Sequence, residues 1–146
     1  MNTPSALDVV SEYTAALMAR DEERMKTLRT SDFVLDWVYA DAFEDPPSSA
    51  EETHAFWPSW FEGFPEMDYE VTRTIAAETV VVTQWTFTGT NDGPLGPPAF
   101  GERMEPSGRT IQFRGVSIYD VRDGLIQRET TYLDLATLMV ELGVTL

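Results

Sequence analysis

The chain has 146 residues, a length that suits one domain with a substantial core. It carries 25 acidic and 10 basic residues, and this formal charge of −15 disfavours nucleic acid and anionic membranes as partners. Cysteine is absent, which excludes disulfides and thiolate metal sites. The N-terminal segment lacks the pattern of a signal peptide, and no apolar run approaches the ~20 residues that span a bilayer. We therefore expect one cytoplasmic domain over residues 1–146.

Helical periodicity dominates the first half of the chain. Thr3 and Pro4 predict the start of a first helix, and Asp21 predicts the cap of a short second one. The segment "DFVLDWVY" then alternates as a β-strand does. The strongest helical stripe in the chain follows it; its residues are Thr53, Phe56, Trp57, Trp60, Phe61 and Phe64.

Strand patterns dominate the second half. Alternation from Met67 to Ile75 predicts one strand, and "TVVVTQWTFTGT" predicts another. The segment 91–108, "NDGPLGPPAFGERMEPSG", is a long loop that we interpret as a lid, a partner contact or a disordered segment. Two further strands flank Asp123-Gly124, a strong hairpin signal. A short helix from Leu135 to Gly143 closes the chain.

This order of elements predicts an α+β fold. We expect a cone-shaped, curved and mostly antiparallel sheet wrapped around three helices of the N-terminal half, with a short C-terminal helix. Such a sheet would leave a conical cavity. No internal repeat or second domain is evident.

Several segments resemble the nuclear transport factor 2-like superfamily, and within it the SnoaL-like polyketide cyclases and their relatives. The segments are "FWPSWFEGFPEMDYEV", "TFTGTNDGPLG" and "SGRTIQFRGVSIYDVRDGLIQRETTYLDLATLMVELGV", and the last is the most specific. The start, "MNTPSALDVVSEYTAAL", resembles the first helix of bacterial ketosteroid isomerases. The resemblance implies a cavity for a small apolar molecule and commonly a homodimer. Isomerases, cyclases, hydrolases and pure binders share this shape, so function must be argued from residues.

The resemblance implies two catalytic residues in the first half. Tyr13 lies where the isomerases carry an oxyanion-binding tyrosine, whose phenol donates to a developing enolate. Asp36 lies near the isomerases' basic aspartate, and its apolar neighbours would raise its proton affinity for abstraction beside a carbonyl. The alternatives are a core tyrosine satisfied locally and a carboxylate bonded to a neighbouring loop or strand edge. The Glu44-Asp45-Pro46 segment also resembles an isomerase motif, although we favour a solvated loop for these acids.

The predicted hairpin gives a candidate cavity wall. A two-residue turn at Asp123-Gly124 would pair Ser117 with Thr130, and residues opposite one another share a face. A β-bulge would shift this assignment. The predicted wall consists of Phe113, Gly115, Ser117, Tyr119, Thr130, Tyr132 and, if the pairing extends that far, Asp134.

Ser117 is the main departure from the resembled families. The cyclases have a histidine near this position, the isomerases and limonene epoxide hydrolases have an acid, and serine supplies a proton less readily. The cyclases' basic aspartate aligns near Thr131, or with Asp134 if the alignment slips. An epoxide hydrolase also needs an arginine where Gly115 stands, and Arg114 next to it points to the opposite face. Each familiar mechanism therefore lacks a group.

The remaining candidates have a structural and a functional interpretation. Asp134 matches the last acid of the hydrolase pattern and is also a predicted N-cap of the final helix. His54, the only histidine, is a surface residue or a pocket acid–base group. It makes no metal site with the scattered acids. The predicted ligand-binding residues are Trp37, His54, Trp57, Trp60, Trp85, Phe113, Ser117, Tyr119 and Tyr132, an aromatic set suited to a flat, apolar ligand.

We therefore predict a SnoaL-like enzyme that acts on an apolar carbonyl or polycyclic compound without a cofactor. Asp36 would be the base, and Tyr13 or Asp134 would polarise the substrate oxygen. The alternatives are a non-catalytic binding protein on the same fold and an epoxide hydrolase. Arg114, Val116 and Ile118 lie on the face opposite Ser117, and a two-fold partner would bury them if they are exposed in the monomer.

Overall fold

A computed structural model describes residues 3–38 and 50–145, and the Glu44-Asp45-Pro46 motif lies outside these residues. The observed order of elements is the predicted one. The helices are α1 (Ala6–Met18), α2 (Glu22–Thr27), α3 (Ala50–Gly63) and α4 (Leu135–Glu141), and the strands are β1 (Arg29–Val38), β2 (Glu66–Ala76), β3 (Val80–Thr90), β4 (Thr110–Arg122) and β5 (Leu125–Leu133). None of these helices is long and apolar enough to cross a bilayer.

The helix caps follow ordinary side-chain chemistry. Asp21 and Asp134 cap α2 and α4, because their carboxylates accept from backbone N–H groups that the helices leave free. The start predicted for the first helix was wrong by two residues. Ser5 caps α1, and its hydroxyl accepts from the N–H of Asp8 at 3.1 Å.

The strands form one five-stranded sheet in the order β1-β5-β4-β3-β2. The pairing is antiparallel except between β1 and β5, which are parallel. Helix α1 packs against β2, β3 and β5, and α3 packs against β1, so α1 and α3 cover the sheet, while α4 packs against β4. This arrangement confirms the predicted α+β class and leaves an interior between the helices and the sheet.

The hairpin between β4 and β5 has the predicted two-residue turn. Asp123 and Gly124 have φ angles of 52° and 76°, both in the left-handed region. Two consecutive positive φ angles are typical of the tight turn that matches the twist of antiparallel strands. Arg122 and Leu125 pair across the turn as expected.

A β-bulge follows this turn and changes the register. Val121 pairs with Ile126, whereas Asp120 pairs with Arg128, so Gln127 has no partner in the β4–β5 ladder. One extra residue in a strand exchanges the faces on which all the following side chains lie. The bulge therefore decides which residues of β5 face the interior.

The predicted pairing of Ser117 with Thr130 was consequently wrong. Ser117 pairs with Thr131, and both side chains are buried. Glu129, two residues before Thr131, also faces inward and is 1% exposed. Tyr132 was predicted on the inner wall, but it lies on the outer face and is 51% exposed.

The wide part of the interior is filled by aromatic side chains. Trp60 of α3 lies at the centre of this group, and its ring centroid is 4.8–6.5 Å from six others. These edge-to-face, tilted and stacked contacts favour close packing of rings. The aromatic cluster thus occupies much of the space where the sequence predicted an open apolar cavity; it contains Trp60 with Trp37, Phe56, Phe64, Phe87, Phe100 and Phe113.

The segment 91–108 forms a folded loop over this aromatic cluster. The side chain of Asn91 donates to the carbonyl oxygens of Gly63 and Gly93 at 3.1 and 2.8 Å. Leu95 is buried and forms an isolated antiparallel bridge with Met104. The alternative of a disordered segment was therefore wrong, while the role of a lid stays a prediction.

Arg20 ties the end of α1 to the end of α3. Its guanidinium donates to the carbonyl oxygen of Phe61 at 2.9 Å and to that of Phe64, and it lies 5.2 Å from the centre of the Phe61 ring. The last carbonyl groups of a helix have no partner within the helix, so this side chain satisfies one of them, at Phe61, and the carbonyl that directly follows the helix, at Phe64. The aromatic face of α3 is thereby held against the rest of the fold.

Candidate interior polar site

Beyond the aromatic cluster, the interior contains a compact group of polar side chains that α1, β1, β2, β4 and β5 contribute. We call it the polar cluster; it consists of Tyr13, Arg29, Tyr69, Ser117, Tyr119, Glu129 and Thr131, all of them buried. Buried polar groups are expensive unless they are hydrogen-bonded, so their concentration at one place needs an explanation.

Glu129 is the central group of the polar cluster. It lies opposite Tyr119 on β4 and Leu35 on β1. Its Oε2 atom accepts a hydrogen bond from the Thr131 hydroxyl at 2.8 Å, while Oε1 is buried without a partner. Burial raises the pKa of the Glu129 carboxyl to about 7, although the Thr131 bond and the charge of Arg29 lower it. Glu129 can therefore both accept and release a proton near neutral pH.

A chain of side-chain hydrogen bonds leads away from this carboxylate. The Thr131 and Ser117 hydroxyls are 2.8 Å apart, and the indole Nε1 of Trp85 donates to the Ser117 hydroxyl at 2.9 Å. Register explains this arrangement, because β3, β4 and β5 present these residues on the same face. Trp85 also packs on Phe113, and so it joins the polar cluster to the aromatic one.

Arg29 is the only cation of the polar cluster. Its Nε donates to the Tyr13 hydroxyl oxygen at 3.0 Å, and its Nη1 donates to Glu22 at 3.3 Å. Burial lowers the pKa of Arg29, but Tyr13, Glu22 and Glu129 together raise it above its usual value. Because Arg29 donates to the phenol oxygen, the proton of Tyr13 points elsewhere.

The three buried tyrosines remain protonated at neutral pH. Burial is the main cause that raises the pKa of Tyr13, Tyr69 and Tyr119, and the nearby Glu129 raises each further. Tyr13 and Tyr119 meet edge to face with ring centroids 5.9 Å apart. The Tyr119 hydroxyl has no hydrogen-bond partner of good geometry. Tyr13 and Tyr119 are therefore the phenols that could donate a hydrogen bond to another oxygen inside the fold, whereas the Tyr69 hydroxyl interacts with those of Tyr119 and Ser117.

The structure brings several predicted site residues to this interior. Tyr13, Ser117 and Tyr119 belong to the polar cluster, and Trp85 contacts it. Trp57 is buried beside the aromatic cluster, where its ring centroid is 5.1 Å from that of Phe56. Trp37, Trp60 and Phe113 are part of that cluster. The ligand-binding roles of these residues stay predictions.

Asp36, the predicted base, does not reach the interior. It lies on the face of β1 opposite Leu35 and Trp37, and its Oδ2 atom accepts from Arg128 at 2.7 Å. The expected apolar environment is replaced by an ion pair on the outer side of the sheet. Its catalytic role stays a prediction, and the geometry gives it no access to the polar cluster.

Asp134 and His54 also lie away from the interior. The Asp134 carboxylate accepts from the N–H and the hydroxyl of Thr137 at 3.2 and 2.7 Å. These two bonds lower the pKa of Asp134. Such a carboxylate is a weak base, so the N-cap interpretation describes its position. His54 lies on the exposed side of α3.

Sequence reasoning missed Glu129 and Arg29. The regular two-residue alternation from the turn placed Glu129 on the outer face, and only the bulge at Gln127 reverses that assignment. Arg29 begins β1, and no motif distinguished it from a surface arginine. One signal in the sequence could have indicated Glu129. Glu129 and Thr131 are polar and two residues apart, so in a strand their side chains lie on the same face.

Metal binding has no evident site in the part of the chain that is described. Within residues 3–38 and 50–145, no group of three or more His, Asp or Glu side chains could hold a metal ion. The chemistry available in the interior is that of carboxyl, phenol, hydroxyl and guanidinium groups.

Comparison with solved structures identifies the fold class first. An NTF2-like protein from Burkholderia thailandensis E264 superposes with a TM-score of 0.73 at 13% identity, covering 95% of this chain and 98% of the other. A candidate SnoaL-like polyketide cyclase from Jannaschia sp. CCS1 superposes with a TM-score of 0.75 at 22% identity, and the match covers 100% of this chain and 99% of the other. IdmH from Streptomyces antibioticus, a candidate polyketide cyclase, superposes with a TM-score of 0.72 at 24% identity, and the match covers 95% of this chain and 99% of the other. These likenesses establish the NTF2-like cone fold.

The sequence comparison then gives the family. A profile of the SnoaL-like polyketide cyclases matches residues 7–142, and the chain belongs to this family. A search of curated proteins finds no significant match.

Proposed function

We propose that the protein is a cofactor-free acid–base enzyme of the cyclase or isomerase type, acting on a small apolar carbonyl compound. One observation carries this proposal: Oε1 of the buried Glu129 is unpartnered, and Tyr119, which pairs with Glu129 across β4 and β5, has a hydroxyl without a hydrogen bond of good geometry. Membership of the SnoaL-like polyketide cyclase family supports the reaction class. Glu129 takes the role of base that the sequence had suggested for Asp36.

The proposed chemistry is proton abstraction beside a carbonyl group. Glu129 Oε1 takes the proton from carbon, and the carbonyl oxygen becomes an enolate oxygen. Tyr13 and Tyr119 donate hydrogen bonds to that oxygen, where burial makes each bond worth more than in water. Arg29 donates to the phenol oxygen of Tyr13 and so turns the Tyr13 proton away from itself.

Proton exchange at carbon tests the proposal without knowledge of the natural substrate. A panel of cyclic 1,3-dicarbonyl and polycyclic ketone compounds in D₂O is followed by NMR for deuterium uptake beside the carbonyl. We expect the wild-type protein to accelerate uptake, Glu129→Gln to abolish the acceleration, and Tyr13→Phe to reduce it. The rate should rise with pH around a midpoint near 7, because the base must be ionised.

Two results would redirect the assignment. If Asp36→Asn abolishes exchange and Glu129→Gln does not, the base is Asp36, as the sequence first suggested. If the wild-type protein binds members of the panel without exchanging their protons, the non-catalytic alternative holds. Epoxide hydrolysis would need Asp134 inside the fold, and Asp134 is exposed.

The outer face of the sheet supports the proposal of a homodimer. Val116 and Ile118 are half-buried on this face, and Tyr132 is 51% exposed beside them. A depression of about 450 Å³ runs between Gln84, Arg114 and Tyr132. A two-fold partner that covered this face would bury the apolar side chains of both copies.

A further inference from the structure

The direction of each hydrogen bond in the chain from Trp85 to Glu129 follows from counting protons. An indole N–H can only donate, so Trp85 is the donor to Ser117. The Thr131 hydroxyl has one proton and gives it to Glu129 Oε2. The bond between Ser117 and Thr131 must then use the serine proton. Every proton of the chain therefore points toward the carboxylate.

We infer that Trp85 and Ser117 are positioning residues that act on Glu129 through Thr131, holding Oε2 as an acceptor and leaving Oε1 as the oxygen that takes and returns the proton. The inference rests on the proposed function only for the identity of the molecule that exchanges the proton with Oε1. It explains why serine is present where the resembled families carry histidine or an acid. Here the residue orients a base and supplies no proton of its own.

The surroundings of Trp85 hold its indole in this orientation. The Trp85 ring stacks on Tyr69 with centroids 5.2 Å apart. It also lies directly over Gly115, where an added Cβ would come within 2.3 Å of the Trp85 ring. Glycine at this position lets the indole approach the strand closely enough for Nε1 to reach Ser117. The indole lies between Tyr69 and Gly115, and this packing restricts its orientation so that the Nε1–H group points toward Ser117.

The opposite polarity would require a different set of partners. If Glu129 donated a proton from Oε2 to Thr131, Thr131 would donate to Ser117, which already accepts from Trp85. The Ser117 proton would then go to another acceptor, and the Tyr69 and Tyr119 hydroxyls, which interact with Ser117, are the candidates. The two polarities predict opposite effects of removing the Thr131 hydroxyl, because one stabilises the carboxylate and the other stabilises the carboxylic acid.

Other groups that face Glu129 must be considered in any titration. They come from each element around it: Tyr13 from α1, Arg29 from β1, Tyr69 from β2 and Tyr119 from β4. Glu22 stands behind Arg29. Tyr69 stacks on Trp85, and the Tyr69 and Tyr119 hydroxyls interact with Ser117. Thr131→Val, which removes the hydroxyl bonded to Glu129 itself, is therefore the variant that reports on the chain most directly.

The test is a carboxyl titration of the ligand-free protein. Glutamate labelled with ¹³C at the carboxyl carbon is followed by NMR against pH, and the Glu129 signal is assigned by its loss in Glu129→Gln. We expect Thr131→Val to raise the Glu129 midpoint by roughly one pH unit, since a bond to the charged form is lost. Ser117→Ala and Trp85→Phe should raise it by smaller amounts, because each acts through the next donor.

Two variants control for side-chain loss. Thr131→Ser keeps the hydroxyl and should keep the midpoint. Thr83→Val makes the same change as Thr131→Val on the same interior face, at the residue paired with Ser117 but outside the chain. It should leave the midpoint unchanged. Should Thr131→Val fail to fold, Ser117→Ala is the second test, since it removes one oxygen atom and introduces no new group.

The outcomes separate the alternatives. An unchanged or lowered midpoint in Thr131→Val overturns the proposed polarity. An unchanged midpoint in both Ser117→Ala and Trp85→Phe removes these two residues from any positioning role. The titration needs no substrate, so failure of the proton-exchange assay with intact midpoint shifts would overturn the proposed function and leave this inference standing.

Discussion

Replacing Glu129 by glutamine should stabilise the protein, and more so at higher pH. The folded state holds this carboxyl with a raised pKa, so it favours the protonated form over the ionised one. Below the ordinary value of 4.5 the group is protonated in both states and costs nothing. As pH rises toward 7, the folded protein increasingly keeps a proton that the unfolded chain has lost. Glutamine resembles the protonated form and has no charge to bury.

The size of the effect follows from the two pKa values. A rise from 4.5 to about 7 corresponds to about 3 kcal/mol of lost stability once the carboxyl is ionised in both states. Glu129 is 1% exposed, so solvent does not screen this cost appreciably. Part of this cost is already present at about pH 5. Between about pH 5 and about pH 8, the free energy of unfolding of the wild-type protein should therefore fall by about 2–3 kcal/mol relative to that of Glu129→Gln.

Urea unfolding of both proteins at these two pH values measures the difference. Other titrating groups contribute equally to both proteins, so the change in the difference belongs to residue 129. Glu70→Gln, the same substitution at an exposed position of β2, controls for loss of a surface charge. A stability difference that does not grow with pH would refute the reasoning, because it would mean that the buried carboxyl has an ordinary pKa.

Three further predictions concern packing, capping and association. Gly115→Ala should cost about 1–3 kcal/mol of stability in urea unfolding, because its Cβ overlaps the Trp85 ring; an unchanged midpoint would contradict the observed contact. Arg20→Met should cost about 2 kcal/mol by the same assay, since it leaves carbonyls at the end of α3 unpaired. Arg24→Ala, which breaks a half-exposed ion pair, should cost less than about 1 kcal/mol, and equal losses in these two arginine variants would argue against the capping role. The wild-type protein should sediment as a dimer and Tyr132→Arg as a monomer, whereas a monomeric wild-type protein would exclude the proposed interface.

The order of the elements was predictable because it depends on local patterns. The helical stripe of α3, the alternation of β3 and the Asp123-Gly124 turn each need only a few neighbouring residues. The faces of β5 were not predictable by the same reasoning. They depend on an extra residue, Gln127, and a bulge is set by the twist of the whole sheet and by the packing of the helices on it.

The site depended on those faces, so its central residue was missed although the fold was correct. Tyr13, Ser117 and Tyr119 were predicted inside and lie there, since none of them follows the bulge. Asp36 was judged by its apolar neighbours along the strand, and the ion pair with Arg128 comes from β5, which lies far away in sequence. Sequence patterns show which residues alternate, but not which cation a distant strand brings beside them.

The register of β5 also argues that the interior serves chemistry rather than stability. Without the bulge, Tyr132 would be buried and Glu129 would lie outside in water, an arrangement that hydrophobic burial favours. The fold instead leaves Tyr132 51% exposed and buries a carboxylate that has one unpartnered oxygen. Natural sequences break local rules of this kind mainly where a function compensates for the lost stability. Glu129 pairs with Tyr119 across the two strands, and the Tyr119 hydroxyl also lacks a hydrogen bond of good geometry. In the proposed function, the groups that weaken the fold are therefore the ones that act on a carbonyl compound: the phenol donates to its oxygen, and the carboxylate takes the proton from the neighbouring carbon.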